Sequence, residues 1–308
     1  MPELFEPFAV AVERISGLEV RGLAGVCVGY VTKEKSAVKQ YFTRRAIIIG
    51  GPCLADDATD AEVIALMTAV KSILLLGRDG ADSTPIYIET RNLNDYSRWK
   101  ESFEKAQFAY CPHLNFHVDP RENNLSGNRR RQVRKSDATI EVIQNESIQD
   151  ASNESTIREW YEILRNLYRT KVKTPLWPEA FFIEAYRQGV GIFILVKHNN
   201  RVIGGSMLVK GEEGTTYEWF ACGMNSAYKK QHPSVMATWA GIQWAKEQGC
   251  TRYDMMGAGK PDEEYGVRDY KAEFGGKMVE HGRFVCVQRP LLYRIGTIFV
   301  KTIKKLKR

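Results

Sequence analysis

Apolar positions recur along the chain with two periods. In the first half, V-C-V-G-Y-V (26–31), R-A-I-I-I-G-G-P (45–52) and P-I-Y-I-E-T-R (85–91) are short β-branched or aromatic runs that predict strands. Between the last two, A-E-V-I-A-L-M-T-A-V-K-S-I-L-L-L (61–76) repeats at helical spacing, and N-D-Y-S-R-W-K-E-S-F-E-K-A (94–106) predicts a second helix before the strand H-L-N-F-H-V-D (113–119). Turn formers and a basic cluster, R-E-N-N-L-S-G-N-R-R-R-Q-V-R-K (121–135), then break the pattern as the entry to a linking helix, which puts a domain boundary near residue 140.

The second half opens on two helices, I-R-E-W-Y-E-I-L-R-N-L-Y-R (157–169) and P-E-A-F-F-I-E-A-Y-R (178–187). A hairpin follows, G-I-F-I-L-V-K and V-I-G-G-S-M-L-V-K about the turn H-N-N-R, then the strand T-T-Y-E-W-F-A-C-G (215–223). The helix of residues 233–249 has Pro233 at its first position and Gly249 at its C-cap, and feeds the strand T-R-Y-D-M-M (251–256). The run of strands, helix and strand from Val26 to Thr90 repeats the later order loosely. That suggests a duplicated unit whose first copy lacks its opening helices.

Composition narrows the class. The 308 residues are 44% hydrophobic and 26% charged, which suits a globular protein with room for two domains. No apolar run is long enough to cross a bilayer and the opening M-P-E-L-F-E-P-F carries acids where a signal peptide carries bases, so a cytoplasmic location is expected. The six cysteines are scattered without a C-x-x-C pair and the five histidines are scattered too, so neither a disulfide framework nor a metal site is expected.

The net charge of +7 lies wholly in the tail. Residues 289–308 hold seven Lys or Arg and no acid, leaving 37 basic against 37 acidic residues before them. At helical period Leu291, Leu292, Ile295, Ile298, Phe299, Ile303 and Leu306 form one face, with Arg294, Lys301, Lys304, Lys305 and Arg308 around the other. Such a helix suits the inner face of a membrane, or a dock on its own domain with a charged outer side.

Phosphate-loop, dinucleotide, nucleophile-elbow and zinc-helix motifs are absent, and G-A-G-K (257–260) reads as a turn. Candidate chemistry concentrates instead in R-Y-D-M-M-G-A-G (252–259) and Y-G-V-R-D-Y-K-A-E-F-G-G-K (265–277). There Lys271 sits between Tyr270 and Phe274 ahead of two glycines that would let backbone approach a ligand.

The order of these pieces resembles the Fem-type aminoacyltransferases of peptidoglycan synthesis, within the acyltransferases of the Gcn5-related N-acetyltransferase (GNAT) fold. The resemblance spans I-I-I-G-G-P, I-Y-I-E-T-R, the basic N-R-R-R-Q-V-R-K helix and the Y-D to F-G-G block. It implies an α/β (α+β) fold of tandem GNAT-like domains, each a mixed, mostly antiparallel sheet flanked by helices with a splayed strand pair. The expected divisions are an incomplete domain over 1–140, the acyltransferase domain over 141–288 and the basic amphipathic helix over 289–308.

The resemblance also implies roles. Lys271 would hold phosphate or developing negative charge, and in that role its replacement by methionine would abolish turnover with little loss of fold. Asp254 would accept a proton or, equally, cap the following turn. Tyr253, Tyr270 and Phe274 would wall the site or belong to the core, and Arg169 with Lys173 would read the acceptor's phosphates. The loop K-K-Q-H-P-S-V-M departs from the glycine-rich pyrophosphate cradle of coenzyme A-dependent GNAT enzymes: Ser234 and Met236 stand where glycines would, leaving helical N–H groups near Lys229 and Lys230.

No bound cofactor is expected. The implied donor is aminoacyl-tRNA and the implied acceptor an amine of a lipid- or nucleotide-linked cell-wall precursor. An acyl-CoA-dependent transfer in polysaccharide or lipid synthesis, and a non-catalytic glycan- or lipid-precursor-binding module, stand as alternatives.

Overall fold

The computed structural model describes all residues except 1–4, 17–18, 34–36, 77–83, 123, 146–150, 173, 213 and 307–308. The chain forms two compact units, Met1–His113 with Glu280–Arg308, and Leu114–Val279.

In the first unit β1 (Phe5–Ser16) and β2 (Glu19–Thr32) make a long antiparallel hairpin. A short helix, α1 (Ala37–Thr43), leads to β3 (Ala46–Gly50), and β4 (Cys53–Leu54) pairs with β2. Helix α2 (Asp60–Leu76) begins with a capping box: the Thr59 N–H donates to the Glu62 carboxylate at 2.8 Å and the Glu62 N–H donates to Thr59 Oγ1. It crosses to β5 (Tyr87–Asn92), which runs parallel to β3, and α3 (Lys100–Lys105) leads to β6 (Ala109–Cys111). Val63, Leu66, Met67 and Val70 of α2 pack with Ile48, Ile88, Phe103 and Phe284 on one face of the sheet.

The second unit contains β7 (Leu114–Val118), α4 (Gly127–Lys135), β8 (Thr139–Ile143), α5 (Ala151–Leu167), α6 (Glu179–Arg187), β9 (Gly191–His198), β10 (Arg201–Lys210), β11 (Thr215–Gly223), α7 (Pro233–Glu247), β12 (Arg252–Gly257), α8 (Gly266–Ala272) and β13 (Lys277–Glu280). The turn H-N-N-R is present as expected, with Asn199 and Asn200 both at positive φ, 49° and 59°, the geometry a tight hairpin of this twist requires. Helices α5 and α6 cover one face of this sheet by packing Trp160, Leu164 and Phe182 against Phe193 of β9, while α7 covers the other. After β13 the chain returns to the first unit as β14 (Arg283–Val287) and ends in α9 (Pro290–Leu306).

The two sheets share a plan, as the duplication predicts. Their strand orders are β1-β2-β3-β5-β14-β6 and β13-β7-β12-β11-β10-β9-β8. In each, a hairpin is followed by a parallel pair joined through a helix, β3 with β5 and β11 with β12. In each, the next strand comes from the other part of the chain: β14 pairs with β5, and β7 pairs with β12.

This exchange moves the boundary. The chain enters the second unit at residue 114 rather than near 140, because Val118 and His117 pair with Tyr253 and Asp254. It leaves at 279 rather than 288. The basic segment forms α4 as expected, but inside the second unit, where Val133 packs among the α7 residues and Ser136 Oγ donates to the Gln231 carbonyl at 2.8 Å.

Candidate functional site

The parallel pairs of the two units differ. In the first, β3 and β5 stay paired from Ala46 to Gly50. In the second, β11 and β12 pair only over Thr215–Tyr217 and Arg252–Asp254 and then part, leaving the main chain of Glu218–Gly223 without a strand partner on the β12 side. A bulge at Trp219 accompanies the parting, since Leu208 opposes Glu218 while Met207 opposes Phe220.

Three buried polar side chains, Glu218, Thr238 and Tyr253, meet beside this gap, with the half-buried Tyr270 next to them. Glu218, 8% exposed, accepts from Thr238 Oγ1 of α7 at 2.8 Å and from the Tyr253 hydroxyl of β12 at 3.1 Å. Burial raises its carboxyl pKa to about 7, against which the two hydroxyls and the charge of Lys271 act. The Tyr270 hydroxyl of α8 donates to the Ser234 carbonyl at 2.9 Å and lies 3.4 Å from Thr238 Oγ1, extending the network to the start of α7.

The Lys271 ammonium faces the end of β12. It donates to the carbonyls of Met255 at 2.5 Å, Met256 at 3.1 Å and Gly257 at 2.7 Å. An ammonium has three protons, so all are spent on the end of β12 and none is left for a ligand anion. Burial lowers its pKa to about 8, with Glu218 and Asp254 pulling the other way. The following glycines serve chain crossing instead of ligand approach: a side chain on Gly275 would meet the Asn124 backbone, and one on Gly276 the His117 carbonyl.

Asp254 caps, as the alternative reading had it. Its Oδ1 accepts the Met256 N–H at 2.6 Å, holding Met256 at a φ of 64°, and its Oδ2 lies 3.2 Å from His117 Nε2 and 3.4 Å from Asn115 Nδ2. With no exposed surface, it holds the strand end in place. Tyr253 and Phe274 are core residues, and Tyr270 is half-buried with the Arg129 guanidinium 4.7 Å from its ring centre.

The other expected residues lie apart from this cluster. Arg169 is exposed in the turn after α5 and donates to Asn166 at the end of α5 at 3.1 Å. Lys173 lies outside the described residues. Lys229 and Lys230 are exposed in the loop before α7, and one N–H of the helix start beside them is taken: the Ser234 N–H donates to Asn225 Oδ1 at 3.2 Å, and Asn225 Nδ2 donates to Ser234 Oγ at 2.7 Å. Gly223 lets this capped turn lie directly on β11, since a Cβ there would meet Ser234.

Glu218 and Thr238 escaped the sequence reading. The signal was a lone carboxylate inside T-T-Y-E-W-F, an otherwise apolar strand. Tyr253 reaches Glu218 only because Gly241 of α7 leaves room for its ring and hydroxyl. Gly→Ala inside a helix ordinarily adds up to about 1 kcal/mol of stability. Gly241→Ala is expected to do the reverse, lowering the melting temperature in calorimetry because the new methyl collides with the Tyr253 hydroxyl.

Residues 127–272 match a family model described as an acetyltransferase (GNAT) domain. No curated protein sequence matches the chain significantly. Among solved structures the fold is similar to that of FemX, with a TM-score of 0.61 and 13% identity over 94% of this chain and 90% of that one. It is similar, with a TM-score of 0.61 and 11% identity, to the C-terminal domain (DUF2156) of a putative lysylphosphatidylglycerol synthetase from Agrobacterium fabrum, over 93% of this chain and 86% of that one. A tandem GNAT protein from the clavulanic acid biosynthesis pathway aligns with a TM-score of 0.52 and 9% identity, over 91% of this chain and 82% of that one. At these identities the likeness is one of fold.

Proposed function

We propose that this chain, a GNAT-fold acyltransferase of the Fem-like type, moves an aminoacyl group from aminoacyl-tRNA to an amine of a lipid- or nucleotide-linked peptidoglycan precursor. The observation that carries the reading is the open gap between β11 and β12, which offers unpartnered main chain to an ester carbonyl. At the start of α7, where a coenzyme A pyrophosphate would need free N–H groups, that of Ser234 is already taken by Asn225.

In this reading the acceptor amine attacks the ester carbonyl in the gap, main-chain N–H groups of β11 receive the developing oxyanion, and the tRNA ribose hydroxyl leaves. Glu218, with a pKa near neutrality, takes the proton released by the amine and passes it to the departing ribose oxygen. Thr238 and Tyr253 orient that carboxylate. Lys271 and Asp254 fix the opposite wall by holding the end of β12.

The helix α9 supports an acceptor carried on a membrane. Its start is docked, with Tyr293 edge-on to Tyr87 at 5.5 Å and Arg289 5.5 Å from the Tyr41 ring. Leu291, Ile295 and Ile298, four and three residues apart, remain 76%, 55% and 65% exposed in a segment that carries seven basic residues and no acid. Among the described residues no helix is long and apolar enough to cross a membrane, so the stripe suits lying on an anionic surface. Changing all three to serine is expected to reduce co-sedimentation with phosphatidylglycerol vesicles at least tenfold while leaving the melting temperature unchanged.

The test of the donor is binding of charged tRNA, acetyl-CoA and a lipid-linked precursor, side by side at two salt concentrations. Salt-sensitive binding of charged tRNA without acetyl-CoA binding is expected. Binding of acetyl-CoA would transfer the assignment to acyl-CoA chemistry. Binding of the precursor alone would make the chain a non-catalytic module.

A further inference from the structure

We infer that the outer face of the first unit's sheet carries a binding site for a phosphate dianion, formed by Arg45, Arg91 and Arg283. Strand register brings the three together. Arg45 immediately precedes β3 and adjoins Tyr87, Glu89 of β5 stands opposite Ile47, Arg91 opposite Ile49, and Val285 of β14 opposite Glu89, so Arg283 falls beside Arg91 on the same face. This is the face away from α2.

The three guanidiniums have one carboxylate between them. Arg283 pairs with Glu89 through Nη1 and donates through Nη2 to His113 Nε2 at 2.7 Å. Arg91 comes no nearer to Glu89 than 3.8 Å, and its Nε is buried without a hydrogen-bond partner. The Arg45 side chain donates to the Tyr87 hydroxyl at 3.4 Å. Among the described residues no second carboxylate pairs with any of the three, so two positive charges are in excess.

That excess is costly where it stands. Glu89 is 7% exposed, and the Arg283 pKa is pushed down by burial and by the nearby charge of Arg91. Like charges gathered in a partly desolvated place with too few counter-ions are a feature of binding sites rather than of packing. The site is also reachable, since the Arg91 and Arg283 side chains keep 40% and 26% of their exposure.

The second unit shows what packing alone would do. There the face away from α7 is covered by α5 and α6 with Trp160 and Phe182, whereas in the first unit the same face receives the start of α9, with Tyr293 on Tyr87. Two excess charges match a phosphate monoester or inorganic phosphate better than a single carboxylate, and the forked donors suit its oxygens.

Calorimetric titration of the full chain at constant ionic strength tests the site with inorganic phosphate, glycerol 3-phosphate and acetate. We expect saturable phosphate binding, none with acetate, and a dissociation constant at least tenfold weaker in Arg91→Gln and in Arg45→Gln. Tighter binding of glycerol 3-phosphate would assign the site to a phosphate ester, and equal binding to the free ion. No phosphate binding by the parent, equal binding by both variants, or acetate binding as tight as phosphate would overturn the proposal. The Arg45 variant keeps the test decisive should Arg91→Gln fail to fold. The acyl-transfer reading is unaffected by either result.

Discussion

Lys271→Met is expected to unfold the protein more easily as well as to inactivate it. The substitution keeps the apolar stem but strips three carbonyls of β12 of their donor and leaves Glu218 and Asp254 without the cation that faces them. Hydrogen bonds to a charged group contribute about 1.5 to 3 kcal/mol each, and removing one partner of a buried charged arrangement costs about 3 to 5 kcal/mol. A loss of about 3 kcal/mol in urea unfolding at pH 8 is the expected result. It should shrink at pH 6, where Glu218 holds its proton and needs no counter-charge. A variant as stable as the parent at both pH values would remove Lys271 from the frame of the site and return it to the role of ligand contact.

Glu218→Gln should separate chemistry from folding. The amide can still accept from Thr238 and Tyr253, so the network survives while the proton acceptor is gone, and a loss of about a hundred- to ten-thousand-fold in kcat is expected. In the parent, kcat/KM should rise as Glu218 loses its proton near pH 7 and fall as Lys271 loses its own near pH 8, a narrow bell whose limbs belong to the coupled pair. The variant should lack the acid limb. Stability carries a second signature. A carboxyl whose folded pKa of about 7 lies above its ordinary 4.5 favours folding fully below pH 4.5, and that contribution is lost as the pH climbs through 7. Glu218→Gln should flatten this decline, and unchanged activity with an unchanged pH profile would rule the base out.

The repeating unit was legible because its signals are local. The two asparagines of H-N-N-R, the Pro233 start and Gly249 end of α7, and the helical spacing of 61–76 each specify an element without reference to the rest. Strand β1 was missed, since Glu6 and Pro7 interrupt its alternation at the start and its pairing with β2 is what makes it a strand. Which sheet L-N-F-H-V joins was also beyond reach, because alternation tells a strand's faces but not its neighbours.

The site divides in the same way. Spacing could gather Tyr253, Asp254, Tyr270 and Lys271 into one region, and they are gathered there. It could not tell that the Lys271 ammonium turns back onto the carbonyls of β12, a matter of direction set by tertiary packing. Glu218 stayed hidden because its partners, Thr238 and Tyr253, are 20 and 35 residues away.

The exchanged strands set an order of events during synthesis. The first unit emerges from the ribosome with a gap between β5 and β6, and the segment that fills it, Arg283–Val287, is translated about 170 residues after β6. Until then two strand edges in the middle of its sheet stand open, a hazard for pairing with a second nascent chain. The second unit, by contrast, receives β7 before any other of its strands and can close its sheet as soon as β13 appears. The half that is made first is therefore finished last, and its solubility during synthesis depends on how quickly Arg283–Val287 follows.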